Sequence, residues 1–248
     1  MRRTGADIER AASADRQPWG PAYSAEEVIT ALEPLVIPTR RERLQAVLAR
    51  RIGSVALLLD GIRDPYNGAA LLRTCEALGV QDVHLVEHGD PFLVSRRVTQ
   101  GAHHWLDIHH HPEPGEALLA IRRSNHALVL AHPAGELDPG DLAALERVCI
   151  VLGNEHDGVC DAIASACSRS VRVPMVGFAE SLNVSVTGGI LLAQATRGRL
   201  GDLSSEVRRL LYAKALFRTV SRAREVLEAG NVTSGQVRAT AARAGSAT

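Results

Sequence analysis

Between Val55 and Arg197 the chain alternates short apolar β-rich runs with segments of helical periodicity. Strands are expected at Val55–Leu59, Val83–Val86, Ala127–Ala131 and Val148–Leu152, with another from Val171. Helices are expected at Gly68–Leu78, Glu116–Ser124, Val159–Cys167 and Val184–Arg197, with a short helical piece at Leu142–Arg147. Phe92–His111 reads as a mixed connection. Strands separated by helices do not form hairpins; they cross over and lie parallel. The pattern therefore predicts an α/β fold, a mostly parallel sheet with helices on both faces.

The full 248 residues suffice for one large α/β domain with appendages. Residues 1–38 read as a partly disordered extension, with disorder expected over 1–21. Within it, Ser24-Ala25-Glu26-Glu27 opens a helix of capping-box type that Pro34 closes. Residues 39–54 form a basic helix capped by Thr39, 55–200 the main domain, and 201–248 C-terminal helices with a frayed tail. No apolar run approaches the roughly 20 residues of a membrane span, and no signal-peptide core is present. Cys75, Cys149, Cys160 and Cys167 have neither metal-type nor disulfide-framework spacing, and so read as small buried hydrophobes of a reducing cytoplasm.

Lys+Arg and Asp+Glu both number 28, which argues against wholesale electrostatic binding of nucleic acid. The placement of the arginines then matters more than their number. Arg40, Arg41, Arg43, Arg50 and Arg51 surround an apolar stripe of Leu44, Val47 and Leu48. A charge run of this kind is either a solvated helix face or a platform for phosphates.

Three stretches carry candidate chemistry. Asp64-Pro65-Tyr66-Asn67-Gly68-Ala69-Ala70-Leu71-Leu72-Arg73-Thr74 enters a helix from a turn. Ile150-Val151-Leu152-Gly153-Asn154-Glu155-His156-Asp157-Gly158 leaves a strand. Val171–Gly189 passes from a β-rich run through Pro174 and a polar loop to a helix capped by Ser181 or Asn183. Unpaired N–H groups at such a helix start suit a small polar ligand. Gly153 and Gly158 have the separation of a phosphate loop, but Val159-Cys160 stands where Lys-Ser/Thr is required. No G-x-G-x-x-G follows a strand, so the dinucleotide fingerprint is missing too. Taken singly, Asn67 and Asn183 could be helix caps and Glu155 an exposed turn carboxylate.

In this order the three stretches resemble the motifs of the SpoU/TrmH family of RNA 2'-O-ribose methyltransferases. Those motifs run P-x-N-x-x-A-x-x-R-T, L-G-x-E-x-x-G and I-P-M-x-G-x-x-x-S-L-N-V-S-V. The resemblance covers about residues 40–200, and Gly101–Trp105 with the C-terminal helices is most like the tRNA branch. It implies a SPOUT fold with a C-terminal deep trefoil knot, a homodimer, and S-adenosylmethionine (AdoMet) as cofactor. The cofactor would be held by Ala131, His132, Leu152, Gly153, Val173, Met175, Ser181 and Leu182. His132 replaces a small polar residue of the family, and Val173 an isoleucine.

Asn67, Arg73, Glu155 and Asn183 are the catalytic candidates by the same resemblance. The family role of general base suits Arg73 poorly, because a guanidinium stays protonated. Phosphate binding and stabilisation of a 2'-oxyanion suit it better, with Asn67 and Glu155 holding Arg73 and the ribose. RNA contacts are expected from Arg40, Arg43, Arg50, His103, His104, Arg197 and Arg199. The resemblance implies tRNA as substrate, at the guanosine at position eighteen of the D-loop. A ribosomal RNA target, or a non-catalytic RNA-binding protein on the same fold, are the rivals. Methyl transfer from a sulfonium needs no metal, and none is expected. In His109-His110-His111 adjacent side chains point to opposite faces of an extended backbone.

Overall fold

The structure is a computed structural model and describes residues 8–10 and 16–230. In chain order its elements are β1 (Ile8–Arg10), α1 (Ala25–Leu32), α2 (Pro38–Leu48), β2 (Ile52–Asp60), α3 (Pro65–Ala77), β3 (Val80–Val86), β4 (Leu93–Ser95) and α4 (Arg96–Thr99). There follow β5 (Asp107–His111), α5 (Pro114–Arg123), β6 (Ala127–Ala131), β7 (Val148–Gly153), α6 (Asp161–Ala166), β8 (Arg169–Val171), α7 (Val184–Ala195) and α8 (Ser205–Thr219). The described residues fall into two compact units, one of 50–202 with β1, the other of 16–49 with 203–230.

The larger unit is built on a six-stranded sheet of order β5-β3-β2-β7-β6-β8, parallel throughout. On one face Leu57, Leu59, Val83, Leu85, Ile150 and Leu152 pack with Leu71 and Leu72 of α3 and Leu191 and Leu192 of α7. On the other, Ala56, Leu58, Cys149 and Val151 pack with Ala117 and Ile121 of α5 and Ile163 of α6. Each face is an apolar layer, which is why the strands read as unbroken hydrophobic runs rather than alternations. β1 and β4 form a separate antiparallel pair.

All nine residues of β2 are buried, and it is longer than the Val55–Leu59 core expected. Its start is satisfied by a partner distant in sequence: Asp202 Oδ1 and Oδ2 accept from the backbone N–H of Gly53 (2.5 Å) and Ser54 (3.1 Å). β5 corrects the reading of Phe92–His111 as a connection, since its last five residues form the edge strand beside β3. His109 and His111 face His84 there, with His84 Nδ1 3.0 Å from His111 Nε2 and the His84 and His109 rings stacked at 4.7 Å. Burial, then His109 and His111, push His84 down to about 3. Burial, then His109 and His110, push His111 down to about 4.

Two helix starts also differ. α3 begins at Pro65, because Asp64 caps it by accepting from Tyr66 N. α2 begins at Pro38 with no side-chain cap, so Thr39 is not the cap. Arg51 leaves the expected basic surface: it is 2% exposed, donates to the Glu76, Val80 and Trp105 carbonyls and pairs with Glu76.

In the smaller unit the Ser24 capping box of α1 is present. Val28 and Leu32 of α1 are fully buried, and α1 and α2 pack on α8. The expectation of disorder up to residue 21 does not hold at its end, where Trp19 is buried, donates to Tyr23 O at 2.9 Å and meets Phe217 ring to ring. Residues 223–230 are helical. The expected tail from 231 lies outside the described residues.

Candidate active site

In a parallel sheet all strands end on the same side, and ligands collect where the strand order reverses. Here β2, β3 and β5 run outward one way while β7, β6 and β8 lie the other way. The reversal falls between β2 and β7, whose last residues, Asp60 and Gly153, are paired.

A cavity of about 660 Å³ opens at the ends of β6, β7 and β8. Its lining includes all eight residues named for the cofactor: Ala131, His132, Leu152, Gly153, Val173, Met175, Ser181 and Leu182. Sequence reading missed Val184 and Thr187, which also line it. Their signal was available, since positions three apart share one helix face. His132, whose place was open, accepts from Ala134 N through Nδ1 at 3.1 Å and so shapes the turn after β6.

The loop after β7 is self-supporting. Asn154 and Gly158 exchange backbone hydrogen bonds at 3.1 and 3.2 Å, and Asn154 Oδ1 accepts from His156 N and Asp157 N. A Cβ on Gly153 would stand 2.1 Å from Gly158 backbone atoms. The chain's own approach at this point, before any ligand's, requires glycine.

A chain of amides joins the three motifs. Asn183 caps α7 by accepting from Ser185 N at 2.9 Å, and its Nδ2 donates to Asn67 Oδ1 at 3.0 Å. Asn67 Nδ2 in turn donates to Glu155 Oε1. Asn67 is 8% exposed and lies inside α3, where Asp64 already does the capping. The cap explanation therefore fails for Asn67, while Asn183 caps and reaches across as well.

Arg73 stands nearly two turns further along α3, exposed, with Nη1 donating to Val98 O at 3.2 Å. This corrects the expectation that Asn67 and Glu155 hold it; those two bind each other. Of the RNA candidates, Arg43, Arg50 and Arg197 are exposed and Arg40 and His104 half-buried. Two are corrected. His103 is 4% exposed, so its ring is inside the fold. Arg199 turns back after Gly198 (φ +74°) and gives its donors to the carbonyls of Ala195, Leu142, Leu145 and Glu146 and to Ser54 Oγ. A guanidinium so engaged has no fork left for a phosphate.

The SpoU rRNA Methylase family model matches residues 54–193. The chain is 31% identical over 170 residues to a tRNA (guanosine(18)-2'-O)-methyltransferase of Aquifex aeolicus, covering 68% of this chain and 81% of that protein. Among solved structures it is similar to the A. aeolicus TrmH/SpoU tRNA modifying enzyme, with a TM-score of 0.65 and 28% identity over 74% of this chain and 98% of that one. It is also similar to an AdoMet-bound rRNA methyltransferase from Sinorhizobium meliloti, with a TM-score of 0.51 and 28% identity over 62% and 59% of the two chains.

Proposed function

Since the chain belongs to the SpoU rRNA methylase family, we propose that it methylates a ribose 2'-hydroxyl in RNA from AdoMet, at guanosine 18 of a tRNA D-loop. The observation that carries this reading is the single cavity lined by all eight expected cofactor residues, with the Asn183–Asn67–Glu155 chain at its edge. Its volume of about 660 Å³ is in the range of small-molecule sites. Its mixed lining suits a ligand with an apolar base and a charged tail: Leu152, Val173 and Leu182 offer walls, and the loop backbones offer donors and acceptors. When bound, AdoMet supplies an electrophilic methyl on a sulfonium.

The residues divide the remaining work. Glu155, steadied by Asn67, presents its second carboxylate oxygen to a ribose hydroxyl, orients it and would accept its proton as the oxygen is methylated. Arg73 binds the neighbouring phosphate and stabilises negative charge on the 2'-oxygen. Asn183 fixes the start of α7 and so the loop over the cofactor. Arg40, Arg43, Arg50, Arg197 and His104 contribute RNA contacts.

The same reading includes a deep trefoil knot in the C-terminal third, a homodimer, and action in the cytoplasm. Support for the dimer lies in the loop from Pro174 to Asn183, which is exposed throughout and carries fully exposed Val176 and Phe178, with Val186 beyond it. An apolar stretch of this kind marks an interaction surface. Among the described residues no helix is long and apolar enough to cross a membrane.

Labelled-methyl transfer to unmodified tRNA and to ribosomal RNA, followed by mapping of the methylated ribose, tests the reading. Label at guanosine 18 supports it. Label only in ribosomal RNA moves the substrate, and RNA binding without transfer makes the protein a non-catalytic binder.

A further inference from the structure

A second cavity, of about 600 Å³, opens at the same end of the sheet and shares Asn154, Asp157 and Gly158 with the first. The methyl-transfer reading leaves it without a role. At its floor is Asp60, the last residue of β2, a carboxylate only 2% exposed. Its Oδ1 is 2.5 Å from His88 Nε2, and its Oδ2 accepts from Cys160 N at 2.7 Å. One ligand-type atom each of Asp60, His88 and Cys160 lies within 4.8 Å of the other two. His88 and Cys160 are 28 and 100 residues from Asp60 in sequence, so no local spacing announces the group.

We propose that Asp60, His88 and Cys160 bind a divalent cation of the zinc class, with a fourth position open to the second cavity. A thiolate sulfur, an imidazole nitrogen and one carboxylate oxygen are the donor set of such ions; magnesium and calcium take oxygen throughout. Tetrahedral bonding sets neighbouring ligand atoms about 3.3–3.6 Å apart. The present trio therefore needs shifts of about an ångström. The sheet holds Asp60 in place, and His88 is the part that can adjust. It sits partly exposed at φ +49° in the turn that Asp90 N closes on Glu87 O. On binding, the Cys160 thiol releases its proton to solvent, and His88 carries its proton on Nδ1 so that Nε2 meets the ion. The ion would join β2 to the chain just after the loop that carries Glu155.

Cobalt(II) titration of the full chain, stripped with chelator, is the test. The expected result is a thiolate-to-cobalt charge-transfer band that saturates at one equivalent and is displaced by zinc. Cys160→Ser should abolish the band, and His88→Ala should weaken zinc binding by about 10-fold or more. Cys167→Ser should keep both. All three variants avoid the buried Asp60, and circular dichroism is to check that each is folded. Absence of the band overturns the proposal, as does a band that persists in Cys160→Ser. Zinc affinity unchanged in both Cys160→Ser and His88→Ala also overturns it, and Asp60 then serves only to pin His88 and the start of α6.

Discussion

Arg73 and Arg199 are the same residue type with opposite assignments, decided by where their donors go. Arg73 has one bond, to Val98 O, and an exposed guanidinium. Arg73→Ala should leave AdoMet affinity nearly intact by calorimetry while single-turnover methyl transfer falls by about 10²-fold or more. Arg73→Lys should restore little, because a lysine keeps the charge and loses the fork. Strong rescue by lysine, with a rate rising at alkaline pH, would favour a base instead. Arg199→Ala should act on the fold, because the carbonyls of Leu142, Leu145 and Glu146 lose their donor. Urea unfolding should show a loss of about 1–3 kcal/mol, with the salt dependence of RNA binding unchanged. A salt slope lower by about 0.7–0.9 at unchanged stability would return Arg199 to the phosphates.

At the scale of elements, the pairing of β3 with β5 makes stability depend on pH. His84 and His111 are held neutral in the fold, pushed down to about 3 and about 4, whereas in the unfolded chain they protonate near the ordinary value of about 6.5. The unfolded chain therefore binds more protons in between. Stability is whole above about pH 6.5 and falls as pH drops through that window, by up to about 1.4 kcal/mol per unit for each ring. Unfolding free energies at pH 7, 6 and 5 (about one unit apart) check this, and His84→Gln should flatten the slope; a flat profile in the parent chain would contradict it. The same strand shows where sequence reading stops. Central strands were legible because their residues are apolar on both faces, and the motifs were legible by resemblance. β5 was not, because Asp107 and three histidines look solvent-facing until His84 and Asp82 are beside them. Side-chain destinations were equally hidden: nothing local tells that His103 turns inward or that Asn67 reaches Glu155 rather than Arg73.

For the whole molecule, the dimer proposed above would cover the exposed Val176 and Phe178. Sedimentation should give a dimer at micromolar concentration, and Val176→Asp with Phe178→Asp should yield monomers with reduced methyl transfer. A doubly substituted chain that stays dimeric would move the interface elsewhere. The smaller unit carries another consequence. Val28 and Leu32 of α1 are buried in a unit whose other half, α8, comes long after them in the chain. As the ribosome extends the polypeptide, 50–202 can close on itself while α1 waits with its apolar side uncovered. Protease should cut α1 in nascent chains stalled before residue 205 and spare it once α8 has left the exit tunnel. Early protection would mean that α1 finds a temporary cover, the service a chaperone performs.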